Sequence, residues 1–336
     1  MLKHHFSTLL FGLALCAAGC GAPDESALAE TDEQIELFAA PALLSPPSGR
    51  ATRHPIVLTH GFDASPTNRW GFNGVSQALR QDGHTVIVAT VPPYDSPAVR
   101  AMHLARYVDQ ALATGRTGKV NIIAHSMGGL DSRELISVLR YGDRVASLTT
   151  ISSPHRGTRV ADVALRLMPG SADDAINALA SAWGRTYSTV AQDSHLRDAM
   201  SALAESNAAR FNAAHPNDTR VYYQSWAGVS SFGGIPGPFD ESACEGRLLR
   251  TGRRADTMDA TLVPMAALTA HGAELLPNDG MATVASAKWG NFRGCIPADH
   301  LDEVGQVADR GQDRRTGFDH LRFYRTVAFD LAARGY

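Results

Sequence analysis

KVNIIAHSMGGLDSR, residues Lys119 to Arg133, is the stretch that decides how this chain folds. Its first part, Lys119 to Ala124, is short, apolar and partly β-branched, the composition of a strand buried on both faces. From Gly128 to Leu139 the sequence reads as a helix. Between the two lies Ala124-His125-Ser126-Met127-Gly128, a serine with small residues two before and two after it. Small residues there permit a sharp strand-to-helix turn that lifts the serine hydroxyl out at the end of a sheet. The helix N-terminus beyond it offers unpaired N–H groups and positive dipole character to an anion. Ser126 therefore reads as a nucleophile rather than an ordinary serine. Ala124 stands where the usual G-x-S-x-G pattern has glycine, the mildest steric replacement.

Outward from this stretch the same rhythm repeats. Strands are expected at Pro55 to His60, Thr85 to Val91, Val145 to Ser152 and Val221 to Ala227, and helices at Val75 to Leu79, Ala98 to Leu112 and Phe318 to Ala333. Continuous apolar strands alternating with amphipathic helices imply an α/β fold, a mostly parallel sheet with helices on both faces. Residues 159–215 break the alternation with Ala-rich helical sequence, an insertion between late strands.

The chain has 336 residues, 44% hydrophobic and 19% charged, ordinary values for a globular protein. A net charge of −3 excludes an electrostatic footprint for nucleic acid. Residues 1–19 read as a signal peptide: a basic start at Lys3, an apolar run from Phe6 to Ala18, then small residues before Cys20. Cys20 after Ala-Ala-Gly resembles a bacterial lipoprotein box, which would acylate that cysteine; ordinary cleavage nearby is the other reading. Residues 20–53 then form a lipid-anchored or flexible linker, and residues 54–336 the catalytic domain. Export to the outer membrane or the exterior follows. Cys244 and Cys295 are the two cysteines left in the body, and in an oxidising compartment they pair.

A serine nucleophile needs a base and an orienting acid, expected in the order Ser, Asp or Glu, His. Asp279, in Asn278-Asp279-Gly280, lies on a turn after an apolar stretch, and His300 follows it. His155, His195, His215, His271 and His320 compete with His300 as bases on local chemistry. His60-Gly61 ends the first strong strand, so the next N–H, on Phe62, joins that of Met127 as an oxyanion-hole pair.

Four segments together resemble the true lipases of Pseudomonas and Burkholderia: VLTHGF at Val57 to Phe62, AHSMGGLDSR at Ala124 to Arg133, VASLTTISSPHRGT at Val145 to Thr158 and HLDEVGQ at His300 to Gln306. The resemblance implies an α/β-hydrolase fold and a carboxylic ester hydrolase, foremost a triacylglycerol lipase working at a lipid–water interface. It implies Ser126 as nucleophile, Asp279 as acid and His300 as base, with Phe62 and Met127 as oxyanion donors. It also implies a structural calcium held by two aspartates and two backbone carbonyls. Asp302 and the carbonyl of Gln306 fall in the matching segment, with Asp259 and the carbonyl of Arg310 as partners and Asp256 as the alternative to Asp259. Residues 159–215 correspond to the family's lid, here with few large apolar anchors (Leu165, Leu167, Met168, Ile176, Leu179, Trp183). Some of these lipases require a lipase-specific folding chaperone. The same triad also serves short-chain esterases, phospholipases and polyester depolymerases, and a non-catalytic lipid-binding surface protein is the reading from a different class.

Overall fold

Ile56 and Leu58 pack into one apolar layer and Val57, between them, into another. Successive side chains of a strand point to opposite faces, so a strand apolar at every position must be covered on both. The computed structural model describes residues 47–63, 71–114, 117–167, 173–187, 189, 193–250, 252, 254–306 and 313–336. The expected signal peptide, Cys20 and most of the expected linker lie outside the described residues.

The elements are β1 (Ile56–Thr59), α1 (Val75–Gln81), β2 (Val86–Val88), α2 (Pro97–Thr114), β3 (Val120–His125), α3 (Gly128–Ser137) and β4 (Val145–Ile151). Four helices of the insertion follow: α4 (Arg159–Leu167), α5 (Asp173–Tyr187), α6 (Leu196–Leu203) and α7 (Glu205–Ala214). The chain then returns through β5 (Tyr222–Gly228), β6 (Ser230–Ser231), α8 (Asp240–Ala243), β7 (Asp256–Thr257), α9 (Val263–Thr269), α10 (Val284–Ala287), β8 (Asn291–Ile296) and α11 (His320–Ala333). Six strands form one sheet in the order β2-β1-β3-β4-β5-β8, all neighbours parallel, as the alternation predicts.

One face of the sheet buries Ile56, Leu58, Ile123, Ile151 and Ile296 against Val75 and Leu79 of α1 and Phe323, Val327 and Leu331 of α11. The other buries Val57, Ile122, Ala124 and Leu148 against Leu104 and Val108 of α2 and Leu135 of α3. Ala124 is thus a core residue, and its methyl group fits where the motif usually carries glycine. Asp319 starts α11 because its carboxylate accepts the Arg322 N–H at 3.1 Å.

Two expectations need correction. Thr85 to Val91 gives only a three-residue strand, because its later half turns to serve the loop after β1: Ala89 N–H bonds Leu58 O at 2.8 Å and Val91 N–H bonds His60 Nε2 at 3.4 Å. The last strand, β8, was not expected at all. Its sequence NFRGCI carries polar residues and Gly294, whose φ of 135° and the Arg247 carbonyl 2.3 Å from a would-be Cβ admit no side chain.

Cys244, just after α8, and Cys295 on β8 form a disulfide that closes 51 residues. That loop contains β7, α9 and Asp279, so the bond constrains much of what surrounds the sheet's carboxyl edge. In the chain-entropy model a loop of this length is worth about 4 kcal/mol. Reduction, or a Cys244→Ala/Cys295→Ala pair, should lower the unfolding free energy by about 2–4 kcal/mol in urea titration. An unchanged midpoint and slope would contradict this.

Candidate active site

Ser126 is the first residue beyond β3 and has φ of 56°, a left-handed conformation that costs a side-chain-bearing residue free energy. Its N–H bonds Ile151 O on β4 at 2.9 Å, so the turn remains hooked to the sheet. The turn is tight because its neighbours have no side chains. A Cβ on Gly128 would stand 2.7 Å from Thr59 O and 2.8 Å from His60 O, and one on Gly61 would stand 3.2 Å from Ser126 Oγ. The glycines let α3 and the loop after β1 close on the serine from both sides.

The structure brings Ser126, His300 and Asp279 together. His300 Nε2 lies 2.8 Å from Ser126 Oγ, and His300 Nδ1 lies 2.8 Å from Asp279 Oδ2. Asp279 Oδ1 accepts the N–H groups of Met281 at 2.8 Å and Ala282 at 2.7 Å, and Asp279 O accepts the His300 N–H at 2.9 Å. Burial pushes the Asp279 carboxyl up, but His300 and these amides outweigh it and hold the group below its usual range. The acid is therefore a charged acceptor, and an imidazole whose Nδ1–H faces it presents an unprotonated Nε2 to the serine.

None of the competing histidines bonds Ser126. His155 is buried, beside Thr150 Oγ1 at 3.1 Å and stacked on Trp289. His195 is half exposed beside Asp95, His215 bonds Glu134, His271 bonds Glu205, and His320 bonds Asn73 O. His125 has its ring centre 4.5 Å from that of His300, but burial, then His300, depress its basicity well below the usual range. It is a neutral neighbour.

Glu303 escaped the sequence reading although it lies in the quoted HLDEVGQ segment. It is fully buried, accepting Ser152 Oγ through Oε1 and facing His125 Nε2 at 3.0 Å through Oε2. Burial, then the charge of Asp279, pushes its carboxyl well above the usual range. Ser152, itself left-handed at φ 48°, accepts the Gly228 N–H at 2.9 Å, so the two residues link β4, β5 and the His300 loop. An acid wedged between apolar Leu301 and Val304 is the only hint the sequence offers.

Three carboxylates gather on the other side of that loop: Asp256, Asp299 and Asp302, with ligand atoms within 4.8 Å of one another. Asp299 is already satisfied by the N–H groups of Asp259 at 2.7 Å and of Leu301 and Asp302 at 2.9 Å. Asp256 Oδ2 is buried and has no hydrogen-bond partner among the described residues. Oxygen-only ligands and an orphaned buried carboxylate oxygen fit a hard divalent cation. Asp259 is not in this group. Its Oδ1 caps the turn into α9 through Thr261 N and Oγ1 at 2.8 and 2.6 Å. Gln306 follows Asp302 with its N–H on Leu301 O, and Arg310 lies outside the described residues.

Apolar clusters flank the serine. Met127 and Leu130 pack with Ala161, Ala199 and Leu203 of the insertion, with Phe62 and Leu165 against them, while Leu301 packs with Met258 and Leu262. Ser126 and His300 are each 8% exposed, so little of either residue reaches solvent. Leu167 and Leu179 face solvent, and Met168 and the side chains of Ile176 and Trp183 lie outside the described residues.

A hydroxyl with a basic partner at the carboxyl edge of a parallel sheet defines the serine hydrolase class. The model of the alpha/beta hydrolase fold family matches residues 54–235, and the chain belongs to that family. It is 28% identical over 316 residues to a triacylglycerol lipase of Burkholderia plantarii, covering 81% of this chain and 85% of the relative. It is 30% identical over 278 residues to triacylglycerol lipase 2 of Saccharomyces cerevisiae, covering 78% and 73%. Among solved structures, Staphylococcus hyicus lipase gives a TM-score of 0.59 at 17% identity over 86% of this chain and 98% of that one. A metagenomic carboxyl esterase gives 0.61 at 15% identity over 90% and 91%. These two likenesses are of fold. The chain is a carboxylic ester hydrolase of the serine type.

Glu303→Gln should stay within about 1 kcal/mol of the parent in urea unfolding, because a neutral isostere keeps the partners of Ser152 and His125. Glu303→Ala should lose about 2–4 kcal/mol, since it strands both. Equal losses in the two variants would reject a neutral Glu303.

Proposed function

We propose that this enzyme is a triacylglycerol lipase acting through Ser126, His300 and Asp279. The observation that carries the reading is the unbroken relay from Ser126 Oγ through His300 to Asp279, 2.8 Å at each link, set between apolar clusters. His300 Nε2 takes the Ser126 proton as Oγ attacks the ester carbonyl. The N–H groups of Phe62 and Met127 hold the resulting oxyanion. The C–O bond to the alcohol then breaks, and His300 returns the proton to the departing glycerol oxygen. Water, deprotonated by the same nitrogen, attacks the acyl carbonyl; the bond to Ser126 Oγ breaks as His300 returns the proton to that oxygen, and the fatty acid leaves. Asp279 keeps the imidazole in the correct tautomer and stabilises its charged form. Apolar walls on both sides of the serine suit acyl chains, in keeping with the names of the relatives.

Asp256 and Asp302 would hold a calcium ion, with Asp299 beside them and the carbonyl of Gln306 following in the chain. The ion supplies charge neutralisation and no chemistry at the ester. Asp299 directly precedes His300, so fixing this cluster fixes the base. The disulfide suits an oxidising compartment, which supports export; acylation at Cys20 and help from a dedicated folding chaperone belong to the same proposal.

The test is a substrate series on purified protein: emulsified trioctanoin and triolein, p-nitrophenyl butyrate, a phosphatidylcholine and an aliphatic polyester film. Triacylglycerol should be the best substrate, and Ser126→Ala should keep the fold and lose turnover by about 10⁶-fold. A preference confined to the soluble butyrate would make it an esterase, and turnover by Ser126→Ala would end the mechanism. For the metal, millimolar calcium after chelation should raise Tm by about 5 °C at hundredfold saturation. Asp302→Asn should erase that rise; the same rise in that variant would refute the site.

A further inference from the structure

Arg100, in the first turn of α2, is fully buried, and no step above uses it. A guanidinium has five N–H donors, and here all five are engaged. Nε bonds Asp131 Oδ2 at 2.8 Å. Nη1 reaches Pro92 O at 2.8 Å and Phe62 O at 3.4 Å, and Nη2 reaches His60 O at 3.0 Å and Gly61 O at 2.9 Å. Three consecutive carbonyls of the loop after β1 thus converge on one side chain.

Peptide planarity turns that grip into an orientation. Gly61 O and the Phe62 N–H belong to one planar unit, and no cis peptide bond occurs among the described residues. In a trans peptide the C=O and N–H point in opposite directions. Holding Gly61 O on Arg100 therefore turns the Phe62 N–H away from the guanidinium, while the Gly61 Cα rests against Ser126. Tyr94 secures the next unit, its N–H bonding Phe62 O at 3.0 Å and its ring meeting the Phe62 ring edge-on at 5.0 Å.

The anchor lies on the opposite half of the site. Asp131 belongs to α3, the helix that begins beyond Ser126, and its own N–H bonds Met127 O at 3.1 Å. One ion pair, both side chains fully buried, joins the loop carrying one oxyanion donor to the helix that starts directly after the other. Stability alone does not explain such a pair, because apolar replacements of buried ion pairs are often no less stable. Geometric precision does.

We propose that Arg100, anchored by Asp131, is the positioning residue of the oxyanion hole, setting the Phe62 N–H through the carbonyls of His60, Gly61 and Phe62. The inference rests on the reading of Phe62 and Met127 as the donors.

The test compares the full chain with Arg100→Lys and with the double variant Arg100→Met/Asp131→Leu, which leaves no orphaned charge. Each is assayed for kcat and KM on p-nitrophenyl butyrate and for inhibition by butylboronic acid, whose tetrahedral adduct fills the oxyanion hole. In the double variant kcat should fall about 100-fold with KM within about two-fold, and the boronate Ki should rise in step with the loss in kcat/KM. Arg100→Lys, with three donors for five acceptors, should fall in between on the same line. If the double variant does not fold, the lysine variant alone decides by its kcat and boronate affinity. A folded variant with kcat within about three-fold of the parent, or with boronate affinity unchanged while kcat drops, would overturn the role. Ser126→Ala run alongside separates the outcomes. Turnover there condemns the nucleophile assignment, whereas a dead Ser126→Ala beside an active Arg100 variant condemns only Arg100.

Discussion

The left-handed backbone of Ser126 is the constraint on which the rest of the site depends. A φ of 56° at a residue with a side chain is unfavourable by about 1–2 kcal/mol and persists only where the surroundings leave no alternative. Those surroundings are the sheet and two glycines. Ile151 on β4 holds the Ser126 N–H, Gly128 lets α3 press on the end of β1, and Gly61 lets the next loop lie against the hydroxyl. The parallel sheet is buried on both faces, and hydrogen bonds between its strand ends hold Ser126, Ser152 and Gly228 to one another's strands.

Around that turn, buried carboxyl groups differ in charge because their partners differ. Asp279 has two backbone amides and an imidazole and stays ionised. Glu303, close by, accepts from Ser152 and faces a neutral His125, and burial with Asp279 as a charged neighbour drives it toward the protonated form. Burial pushes Asp131 up to about 7, opposed chiefly by Arg100. The carboxylate bonded to His300 Nδ1 is thus the ionised one, which is what a base needs if one imidazole is to shuttle one proton.

Much of this was legible in the chain because periodicity and small residues carry direct physical meaning. Apolar runs such as Val145–Ile151 announce a doubly covered sheet, and Ala124, Ser126 and Gly128 at a strand–helix junction announce the turn. What stayed hidden depends on contacts distant in sequence. Arg100 reads as a solvated helix charge until five acceptors are found around it, and Glu303 reads as a surface acid until Ser152 and His125 close over it. Spacing does not show that Asp256 lies beside Asp299 and Asp302 while Asp259 Oδ1 caps the turn into α9, because both follow from contacts of the folded chain. The strand β8 is invisible for a related reason: Gly294 and its polar neighbours fit a strand only because the Arg247 backbone borders it.

The most direct measurement is mass-spectrometric mapping of a fluorophosphonate probe on the folded enzyme. One adduct per chain, on the peptide containing Ser126, appearing in step with loss of ester hydrolysis and absent from His300→Ala over the same interval, is the predicted result. An adduct on another residue, or full hydrolysis by protein already labelled at Ser126, would contradict it.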